Sequence, residues 1–576
     1  MAYGGFREIV KVDAEFTALP GERQKTICLV AREFYSGREF RLFEAGFPDR
    51  PPYATGPDVL FVAYYASADL GCYLDLGWEF PERILDLYAE FRCLKNGLFK
   101  SRNDFLTTLV TFGLNHLAPA GKHGMREALG NGTWRGLYSP DEIEFYAAAD
   151  TLALEQLFLK MAPLINLNQA LLRGRYMAAA ARMEFNGTPI DVATLNRLRS
   201  KWGHMKGRLI QEVDQYGVYE NGSFRRERFE KLLTENNIAW PVHESGVIDL
   251  QDRTFRSQAK AHPIIAPYWE LRSTLSDMRL EDLQVGSDGH NRTILGAFSS
   301  KTSRNQPSST KFIFGPSTWI RGLIKPERGY GIAYCDWKTQ EFGIAAVLSG
   351  DRNAIRDYSG DVHLNFGKRA GLIPVDGTDT THSPQRELAK QCIFGALYGQ
   401  NEYGLAQRLG IPIPMAAKLQ REFRESYPAL YKWLAAAVGH AMLLNELNTV
   451  FGWTLHTGEN PNPRSFLNFP VQGNGAEMMR LAACLATERG VEVCCPVHDA
   501  FLIRAPIDQL EADIKRMVEA MTETSRIVLG GFELRVDVKT VVWPDRYMDK
   551  RGAVMWNKVM GLLEQLEAEQ LERKIA

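Results

Sequence analysis

The segment from Arg386 to Gly399 constrains this chain more than any other. It reads RELAKQCIFGALYG, so that Arg386, Lys390, Phe394 and Tyr398 recur at every fourth position. On an α-helix this spacing places all four side chains along one face. Two long cations followed by two aromatic rings can hold a polyphosphate at one end and stack a nucleobase at the other. The segment therefore predicts a nucleotide-binding helix, although RxxxK alone is also typical of an amphipathic helix with a solvated basic end.

One aspartate precedes this helix in the sequence and another follows it. Asp336 comes directly after the apolar run Gly331–Cys335, which is typical of a buried strand, and Asp499 lies between two runs that predict a β-hairpin. Strand-end carboxylates can meet in space, and Mg²⁺ is commonly held by one or two of them together with substrate phosphates. Each aspartate alone is more typical of a turn or a helix cap. With the helix between them, the pair predicts a site for metal-assisted phosphoryl transfer.

The three segments GIAYCDWKTQEF, RELAKQCIFGALYG and CCPVHDAF resemble motifs A, B and C of the family A DNA polymerases. The helix matches the family pattern RxxxKxxxFGxxYG at every fixed position, and the order and spacing of the motifs agree. The resemblance implies template-directed addition of dNTPs to a primer 3′-hydroxyl, with two Mg²⁺ ions on Asp336 and Asp499. It implies that Lys390 also protonates the pyrophosphate leaving group. The residues implied for substrate binding are Arg386, Lys390, Phe394, Tyr398, Glu341, His363, Arg304, Asn468, Gln472 and His498.

Glu341 stands five residues after Asp336. It resembles the acidic residue that leaves no room for a ribose 2′-hydroxyl in the DNA-synthesising members of the family. The resemblance implies a preference for deoxynucleotides. The alternative is a solvated residue between a strand and a helix.

The segment Ser300 to Arg328 is locally basic, which favours contacts with a phosphate backbone. Within it, Thr302-Ser303-Arg304 resembles the family's TGR motif, whose arginine lies in the primer minor groove. Four positions, at three places in the chain, depart from the family pattern. Ser303 replaces a glycine, Trp337-Lys338 replaces Tyr-Ser, and Ala500 replaces the glutamate that usually follows the second aspartate. The expected metal-binding aspartates are present, but Ala500 removes the usual supporting carboxylate.

A second metal site is predicted near the N-terminus. Asp13 and Glu15 lie two apart in a β-like run, so both project to one face of a strand. Tyr146 and Asp150 lie four apart on a predicted helix, where Tyr146 can orient a water that a metal on Asp150 deprotonates. The pattern resembles motifs I and III of the DEDDy 3′-5′ exonucleases, the proofreading module expected upstream of a family A polymerase. The resemblance implies two Mg²⁺ ions held by Asp13, Glu15, Asp69 and Asp150, with Tyr146 as a further catalytic residue.

Motif II of that exonuclease pattern is less regular. In VLFVAYYASADLGCYL the candidate is Asp69, although Tyr65 replaces the family's asparagine four residues earlier. Asp75 and Asp86 are alternative candidates. Asp69 is also compatible with a helix cap.

Length and composition place the chain among multidomain globular proteins. Its 576 residues are enough for about four domains, with 45% hydrophobic and 24% charged residues. A net charge of −1 argues against a protein that coats nucleic acid by bulk electrostatics. The eight cysteines form no CxxC pair, which argues against a zinc ribbon or a disulfide framework. The sequence has neither a signal-like N-terminus nor an apolar run of about 20 residues, so we expect a cytoplasmic protein, in the host cytoplasm if it is phage-encoded.

The expected fold is a multidomain α/β and α+β fold, with a ribonuclease H-like exonuclease domain followed by a right-hand polymerase. We expect the exonuclease at 1–165, the palm at 166–191, 284–345 and 465–550, the thumb at 192–283, the fingers at 346–464 and a helical tail at 551–576. This layout leaves no room for the 5′ nuclease of full-length bacterial DNA polymerase I and is most similar to phage polymerases. We therefore expect a monomer that replicates a phage genome. Its expected partners are primer-template DNA, dNTPs and replication proteins such as a helicase or primase, without a membrane.

Two other functions are compatible with parts of the sequence. The first is a 3′-5′ exonuclease whose polymerase half only grips DNA, which Ala500 favours. The second is a non-catalytic DNA-binding accessory subunit. Asp336 and Asp499 argue against the second, because clustered carboxylates repel DNA unless metals neutralise them.

Overall fold

The structure is a computed structural model that describes residues 3–98, 103–117, 122–243, 245–277, 280–315 and 317–575. The chain forms two compact units. The first contains residues Met1–Gly187, Ile294–Gln306 and Gly331–Thr540. The second contains residues Thr188–Thr293, Pro307–Tyr330 and Val541–Ala576.

A five-stranded sheet with flanking helices forms the N-terminal part of the first unit. Its strands are β1 (Glu8–Thr17), β2 (Lys25–Glu33), β3 (Glu39–Phe43), β4 (Val59–Ala63) and β5 (Ile84–Asp86). Its helices are α1 (Ala66–Leu76), α2 (Leu87–Lys95), α3 (Phe105–Thr111), α4 (Lys122–Gly130), α5 (Pro140–Met161) and α6 (Leu167–Asn186). The strand order is β3-β2-β1-β4-β5, with β1 antiparallel to β2 and parallel to β4. Because β1 is the central strand, the residues on it lie in the middle of the sheet.

The second unit is mainly helical. Its first part contains β6 (Thr188–Pro189), α7 (Val192–Val213), β7 (Tyr219–Glu220), β8 (Ser223–Phe224), α8 (Arg226–Glu235), α9 (Asp252–Ala261), α10 (Ala266–Asp277) and β9 (His290–Asn291). The short strands pair as β7 with β8 and β6 with β9, both antiparallel.

The remainder of the first unit combines a four-stranded sheet with a large helical insertion. Its strands are β10 (Tyr330–Trp337), β11 (Glu446–Asn448), β12 (Thr454–His456), β13 (Glu492–Val497), β14 (Ala500–Pro506) and β15 (Val536–Val542). Its helices are α11 (Gln340–Ser349), α12 (Arg352–Tyr358), α13 (Val362–Arg369), α14 (Ser383–Leu397), α15 (Glu402–Leu409), α16 (Ile413–Ser426), α17 (Pro428–Leu444), α18 (Pro463–Glu488) and α19 (Leu510–Val528). The sheet order is β13-β14-β10-β15, so β10 lies between the hairpin β13–β14 and the edge strand β15.

Helix α6 joins the two sheets of the first unit. It packs against α1 and β5 of the N-terminal part and against α18 and β13 of the C-terminal part. Small residues make this close packing possible: Ala178 to Ala181 are all buried, and a Cβ on Gly174 would lie 1.9 Å from the carbonyl oxygen of Ile84. A single hydrophobic core consequently includes residues from both sheets, for example Phe61 and Phe501.

The C-terminal tail is helical, as predicted, and forms α20 (Ala553–Ile575). Within the second unit it packs against α7, through ion pairs such as Arg197 to Glu567 at 2.7 Å. Its Trp556 ring lies 6.2 Å from the Trp319 ring. Of the helices in the described ranges, none combines the length and the apolar character needed to cross a lipid bilayer.

Candidate functional site

The two aspartates predicted to bind metal lie on a strand and in the turn that leads into its neighbouring strand. Asp336 is the penultimate residue of β10, and Asp499 is the second residue of the turn between β13 and β14. The backbone N–H of Trp337 donates to the carbonyl of Asp499 over 3.2 Å, which ties the strand end to the turn. The predicted strand and hairpin are therefore confirmed, and they bring together residues that are far apart in the sequence.

The electrostatics of this pair suit a bound cation. Burial, and then the charge of Asp499, raise the pKa of Asp336 to about 7. Burial also raises the pKa of Asp499, whereas the nearby charge of Arg304 lowers it. Among the described residues, none donates a hydrogen bond to the buried Oδ1 of Asp336. Neighbouring desolvated carboxylates with raised pKa values are stabilised by divalent ions, so the residues present fit a metal site.

The register between β10 and β15 adds a carboxylate that no sequence motif singles out. The N–H of Trp543 donates to the carbonyl of Tyr330 over 3.2 Å, and the N–H of Lys338 donates to the carbonyl of Arg535 over 2.9 Å. Both hydrogen bonds belong to one antiparallel register. In that register, residue 336 lies opposite residue 537 on the same face of the sheet.

Residue 537 is an aspartate whose side chain is 65% exposed and lies 3.9 Å from the Nζ of Lys338. Its charge contributes to the raised pKa of Asp336, after burial and Asp499. The alternation of apolar and polar residues in RVDVKTVV predicts a strand, and this was the sequence signal from which the element that carries residue 537 could be found. Only the pairing of that strand with β10 places Asp537 at the site.

The predicted nucleotide-binding helix is α14. Arg386, Lys390 and Phe394 lie on it, whereas Tyr398 is the first residue after its end. The rings of Phe394 and Tyr398 stack with centroids 6.3 Å apart and an interplanar angle of 18°. The predicted face is therefore confirmed for the first three residues, and the aromatic end continues it beyond the helix.

Both cations of α14 have acidic neighbours. The Nε of Arg386 donates to Oδ2 of Asp361 over 2.8 Å, and the Nζ of Lys390 lies 3.3 Å from Oε2 of Glu387. The other oxygen of Asp361 caps α13 through the N–H groups of His363 and Leu364. A phosphate group that binds these cations must therefore compete with two carboxylates.

His363 is buried next to the aromatic end of α14. Its ring centroid lies 6.2 Å from that of Phe394. Burial, and then the charge of Arg386, lower the pKa of His363 to about 4, so the ring is neutral at physiological pH. Its Nδ1 has no hydrogen-bond partner within the described part of the chain.

Glu341 connects α11 to the aromatic end of α14. It lies in the first turn of α11, and its side chain is 11% exposed. One carboxylate oxygen accepts a hydrogen bond from Arg304 over 2.9 Å, and the other accepts one from the Tyr398 hydroxyl. Burial, and then the charge of Glu341, raise the pKa of Tyr398, and a side-chain hydrogen bond from Gln472 opposes this. Glu341 is therefore a largely buried, paired residue, and the alternative of a solvated one is wrong.

The three remaining substrate candidates lie on two elements. Asn468 and Gln472 are four residues apart on α18 and so share one face. The Oδ1 of Asn468 is buried, and no described residue donates a hydrogen bond to it. His498 is exposed and has a left-handed backbone (φ 55°), as the first residue of the turn that also holds Asp499.

The structure explains two departures from the family pattern and locates the third. Ser303 has φ 60°, a conformation that favours glycine, and Arg480 donates to its carbonyl and hydroxyl oxygens at 2.9 and 2.8 Å. Trp337 is a core residue whose Nε1 donates to the carbonyl of Met521. Ala500 is fully buried on β14, where it pairs with Val497.

The basic segment 300–328 is less available to phosphates than its sequence indicates. Arg321 is buried and donates to Asp549 over 2.7 Å, and the Nζ of Lys325 lies 3.9 Å from Asp191. Lys301 and Lys311 are exposed. The prediction of a basic segment that contacts a phosphate backbone is therefore wrong for Arg321.

The N-terminal carboxylates converge as predicted. In the described part of the chain, oxygens of Asp13, Glu15 and Asp150 all lie within 4.8 Å of one another, a spacing that fits a metal ion. Asp13 and Glu15 are on β1, and Asp150 is on α5, which begins with a capping box formed by Ser139.

Tyr146 lies one turn before Asp150 on the same helix. Burial, followed by the charges of Glu15, Asp150 and Asp13, raises the pKa of Tyr146. The phenol is therefore protonated at physiological pH and close to the carboxylate group. This placement agrees with the predicted position of a hydroxyl that orients a water.

Asp69 lies beside this group and is buried in the first turn of α1. Its Oδ1 accepts a hydrogen bond from the backbone N–H of Ala14 over 3.0 Å, between Asp13 and Glu15 on β1. Burial, and then the charge of Asp13, raise the pKa of Asp69 well above its usual range. Its part in binding metal remains a prediction.

The two alternatives to Asp69 have structural partners. Asp75 accepts from the N–H of Thr26 over 2.8 Å, and Asp86 caps α2 through Ala89 over 2.8 Å. Tyr65 precedes α1 with φ 70°, a left-handed conformation in which asparagine is common and tyrosine rare. Tyr65 therefore holds a backbone conformation that is unusual for its residue type.

Comparison with known proteins gives three findings. Residues 293–543 match the family model described as DNA polymerase family A. The chain is 27% identical over 376 residues to a thermostable DNA polymerase I from Thermus aquaticus, and this match covers 60% of the chain and 44% of the relative. It is 25% identical over 442 residues to DNA polymerase I from Aquifex aeolicus, covering 69% of the chain and 74% of the relative. The chain thus spans less than half of the length of the Thermus relative.

A solved structure shares the fold. It is the POL domain of Pol1 from M. smegmatis in complex with DNA primer-template and dNTP, with a TM-score of 0.73 and 18% sequence identity. The similarity covers 93% of this chain and 95% of that chain. At this identity the likeness concerns the fold, and it confirms the mixed α/β multidomain architecture predicted from the sequence.

Proposed function

Because residues 293–543 of this chain belong to DNA polymerase family A, we propose that the protein is a template-directed DNA polymerase. The observation that carries this proposal is the approach of Asp336 on β10 to Asp499 in the turn that leads into the neighbouring strand β14. The substrates are primer-template DNA and dNTPs. The primer 3′-hydroxyl attacks the dNTP α-phosphate in line, and pyrophosphate leaves.

The residues of α14 bind and orient the nucleotide. Arg386 and Lys390 bind the triphosphate as charge-assisted donors in place of their present acidic neighbours. Phe394 and Tyr398 provide the stacking surface for the base pair. Lys390 gives its proton to the pyrophosphate oxygen as that group leaves.

Asp336 and Asp499 are the carboxylates that hold the metal ions. When bound, two Mg²⁺ ions lower the pKa of the attacking hydroxyl and neutralise the charge that develops on the leaving group. Asp537 supplies a further carboxylate on the same face of the sheet as Asp336. Ala500, at the position where the family pattern has a glutamate, has no carboxylate. Asp537 binds or orients water at the site and is not expected to be essential.

Asp537→Ala is expected to weaken metal binding about tenfold, the lower end of the range for residues that support metal ligands. The measurements are the Mg²⁺ concentration that gives half-maximal primer extension and the Mn²⁺ concentration that raises the melting temperature. Asp545→Ala, at an exposed acid in the second unit, is the control. Equal Mg²⁺ and Mn²⁺ requirements in the parent and Asp537→Ala would exclude Asp537 from the site.

Glu341 excludes the ribose 2′-hydroxyl, because Arg304 and Tyr398 hold its carboxylate in one position. Glu341→Ala is expected to raise ribonucleotide incorporation relative to deoxynucleotide incorporation by about 10- to 100-fold, as a steric exclusion is removed. Glu341→Gln keeps the volume and is the control that retains discrimination. Sugar discrimination that is unchanged in Glu341→Ala would contradict this role.

We also propose that the N-terminal module is a 3′-5′ proofreading exonuclease. The group formed by Asp13, Glu15 and Asp150 favours this second activity, because its spacing suits a metal ion that activates water. Tyr146 orients that water, and Asp69 completes the site from α1. Removal of a mismatched 3′ terminus without dNTPs is the direct test.

One primer-extension experiment separates the candidate functions. With dNTPs, a polymerase lengthens the labelled primer; an exonuclease with a DNA grip only shortens it; an accessory subunit leaves its length unchanged. The carboxylates Asp336 and Asp499 favour the first outcome. Because the relatives are matched over part of their length, phage origin, a monomeric state and the expected domain limits remain predictions.

A further inference from the structure

One face of α2 contacts the chain segment that leads to Arg304. Tyr88 and Arg92 lie on α2 and Asn96 is its C-cap, so these side chains are four residues apart and share one face. Helix and segment belong to the same compact unit. In the expected layout, α2 lies in the exonuclease module and Arg304 in the palm.

The donors on this face bind backbone carbonyls in sequence order. The acceptors are the carbonyl oxygens of Ala297 at 3.2 Å from the Tyr88 hydroxyl, Phe298 and Ser299 at 3.1 and 2.8 Å from the Arg92 guanidinium, and Lys301 at 2.7 Å from the Asn96 amide. We call Ala297–Lys301 the splinted segment. Because these acceptors are backbone atoms, the contacts define the path of the chain and are independent of its side chains.

The splinted segment needs such support. The described residues 292–315 contain neither a helix nor a strand, so they lack a regular hydrogen-bond ladder. Phe298 has φ 57° and Ser303 has φ 60°. A left-handed conformation is strained for a non-glycine residue and persists only where the surroundings hold it. Arg92 binds the Phe298 carbonyl, and the Phe298 ring stacks on Trp453 with centroids 5.3 Å apart.

A turn transmits this placement to Arg304. The N–H of Ser300 donates to the carbonyl of Arg304 over 3.2 Å, and the N–H of Ser303 donates to the carbonyl of Ser300 over 3.0 Å. The Arg304 guanidinium then reaches Glu341 over 2.9 Å. Arg304 therefore lies in a turn that begins at the residue directly after those whose carbonyl groups Arg92 binds.

Helix α2 is itself anchored. Glu90 forms a buried two-point ion pair with Arg173 of α6, at 2.6 and 2.8 Å. After the helix, the carbonyl of Asn96 accepts from the N–H of His456 over 2.9 Å. Gly97 has φ 90°, and a Cβ there would lie 2.2 Å from the carbonyl of His456, so no other residue fits this approach. A helix fixed at these points can act as a rigid support.

We propose that Arg92, with Tyr88 and Asn96, is a positioning residue for Arg304. By holding the splinted segment, the N-terminal module sets the ion pair between Arg304 and Glu341 and so takes part in the selection of the nucleotide sugar. This inference rests on the proposed polymerase function. It assigns to the module a second contribution, which is separate from its carboxylates.

The test uses the full chain with Arg92→Ala, Arg92→Lys, Arg304→Ala and the double variant Arg92→Ala/Arg304→Ala. Arg7→Ala is the matched control, because Arg7 is exposed and pairs with Asp58 in the same module. The first measurement is hydrogen exchange of peptides covering 297–306, with peptides of β10 as the internal reference. The second is the ratio of ribonucleotide to deoxynucleotide incorporation. Exonuclease activity on single-stranded DNA and the melting temperature report whether each variant folds.

Arg92→Ala is expected to speed exchange in 297–306 and to lower sugar discrimination by about 10- to 100-fold, as a displaced positioning group does. Arg92→Lys keeps one charged donor and is expected to retain part of the parental sugar discrimination and part of the protection from exchange. Since Arg92 acts through Arg304, the double variant should match Arg304→Ala within about twofold. If Arg92 acted in folding alone, the stability losses of the two single variants would add in the double variant, and sugar discrimination would be unchanged.

Two results would overturn the inference. One is unchanged exchange in 297–306 for Arg92→Ala; the other is a double variant whose loss of sugar discrimination equals the product of the losses in the two single variants. These outcomes are distinct from a failure of the proposed function. If the parent does not extend primers at all, the polymerase proposal fails. The exchange experiment still decides whether Arg92 holds the segment.

Discussion

Asp336→Ala is expected to reduce primer extension by about 10³-fold or more, because a lost metal ligand removes several kcal/mol of transition-state stabilisation and each 1.36 kcal/mol is tenfold. The measurement is single-turnover extension of a labelled primer with saturating dNTPs and Mg²⁺. Burial and the charge of Asp499 raise the pKa of Asp336, so its carboxylate is unfavourable without a metal ion and the fold should not lose stability when it is removed. DNA affinity is expected to remain close to that of the parent.

Asp508→Ala is the matched control for this variant, since Asp508 is exposed just beyond β14. It should extend primers at the parental rate. Exonuclease activity of Asp336→Ala on single-stranded DNA should also be retained, which shows that the protein is folded. Primer extension at the parental rate by Asp336→Ala would remove this residue from the metal site and with it the main support for the polymerase proposal.

Asp13→Ala is expected to abolish removal of a mismatched primer terminus, with a loss of about 10³-fold for the same energetic reason. The measurement is shortening of a 3′-mismatched primer in Mg²⁺ without dNTPs. Extension of a matched primer should be unaffected. Removing one of three carboxylates within 4.8 Å of one another also relieves repulsion, so the melting temperature should be equal to or above that of the parent.

Asp141→Ala is the control for the exonuclease variant, since Asp141 is exposed at the start of α5, the helix that carries Asp150. If Asp13→Ala still shortens a mismatched primer at the parental rate, the exonuclease proposal is wrong. If the parent itself does not shorten it, the carboxylate group has another use. Primer extension by the parent would still support the polymerase proposal.

Local periodicity accounts for the features that the sequence predicted well. The four-residue spacing in α14 and the two-residue spacing of Asp13 and Glu15 depend only on helix and strand geometry, which neighbouring residues define. The hairpin around Asp499 is equally local, because two apolar runs flank a short turn. The end of α14 before Tyr398 was not predicted, because helix ends depend on the capping contacts that follow.

Pairing between distant segments accounts for what the sequence did not show. The approach of Asp336 to Asp499 was expected from the family resemblance, but spacing alone does not state which strands pair. The position of Asp537 depends on the register of β15 against β10, and a shift of one residue would turn it to the other face of the sheet. The ion pair of Arg321 was missed for the same reason, since Asp549 lies far along the chain.

The amino-acid order by itself determined which chemical groups this protein presents and how they repeat: a cationic and aromatic helix, two separated aspartates, and an acidic pair on an N-terminal strand. Tertiary structure alone decided which residues surround these groups, because burial and long-range hydrogen bonds act between residues that no local pattern connects. It turned Glu341 into a paired residue between Arg304 and Tyr398. It also placed α2 against the backbone before Arg304, through carbonyl groups that every residue carries and that no sequence motif can mark.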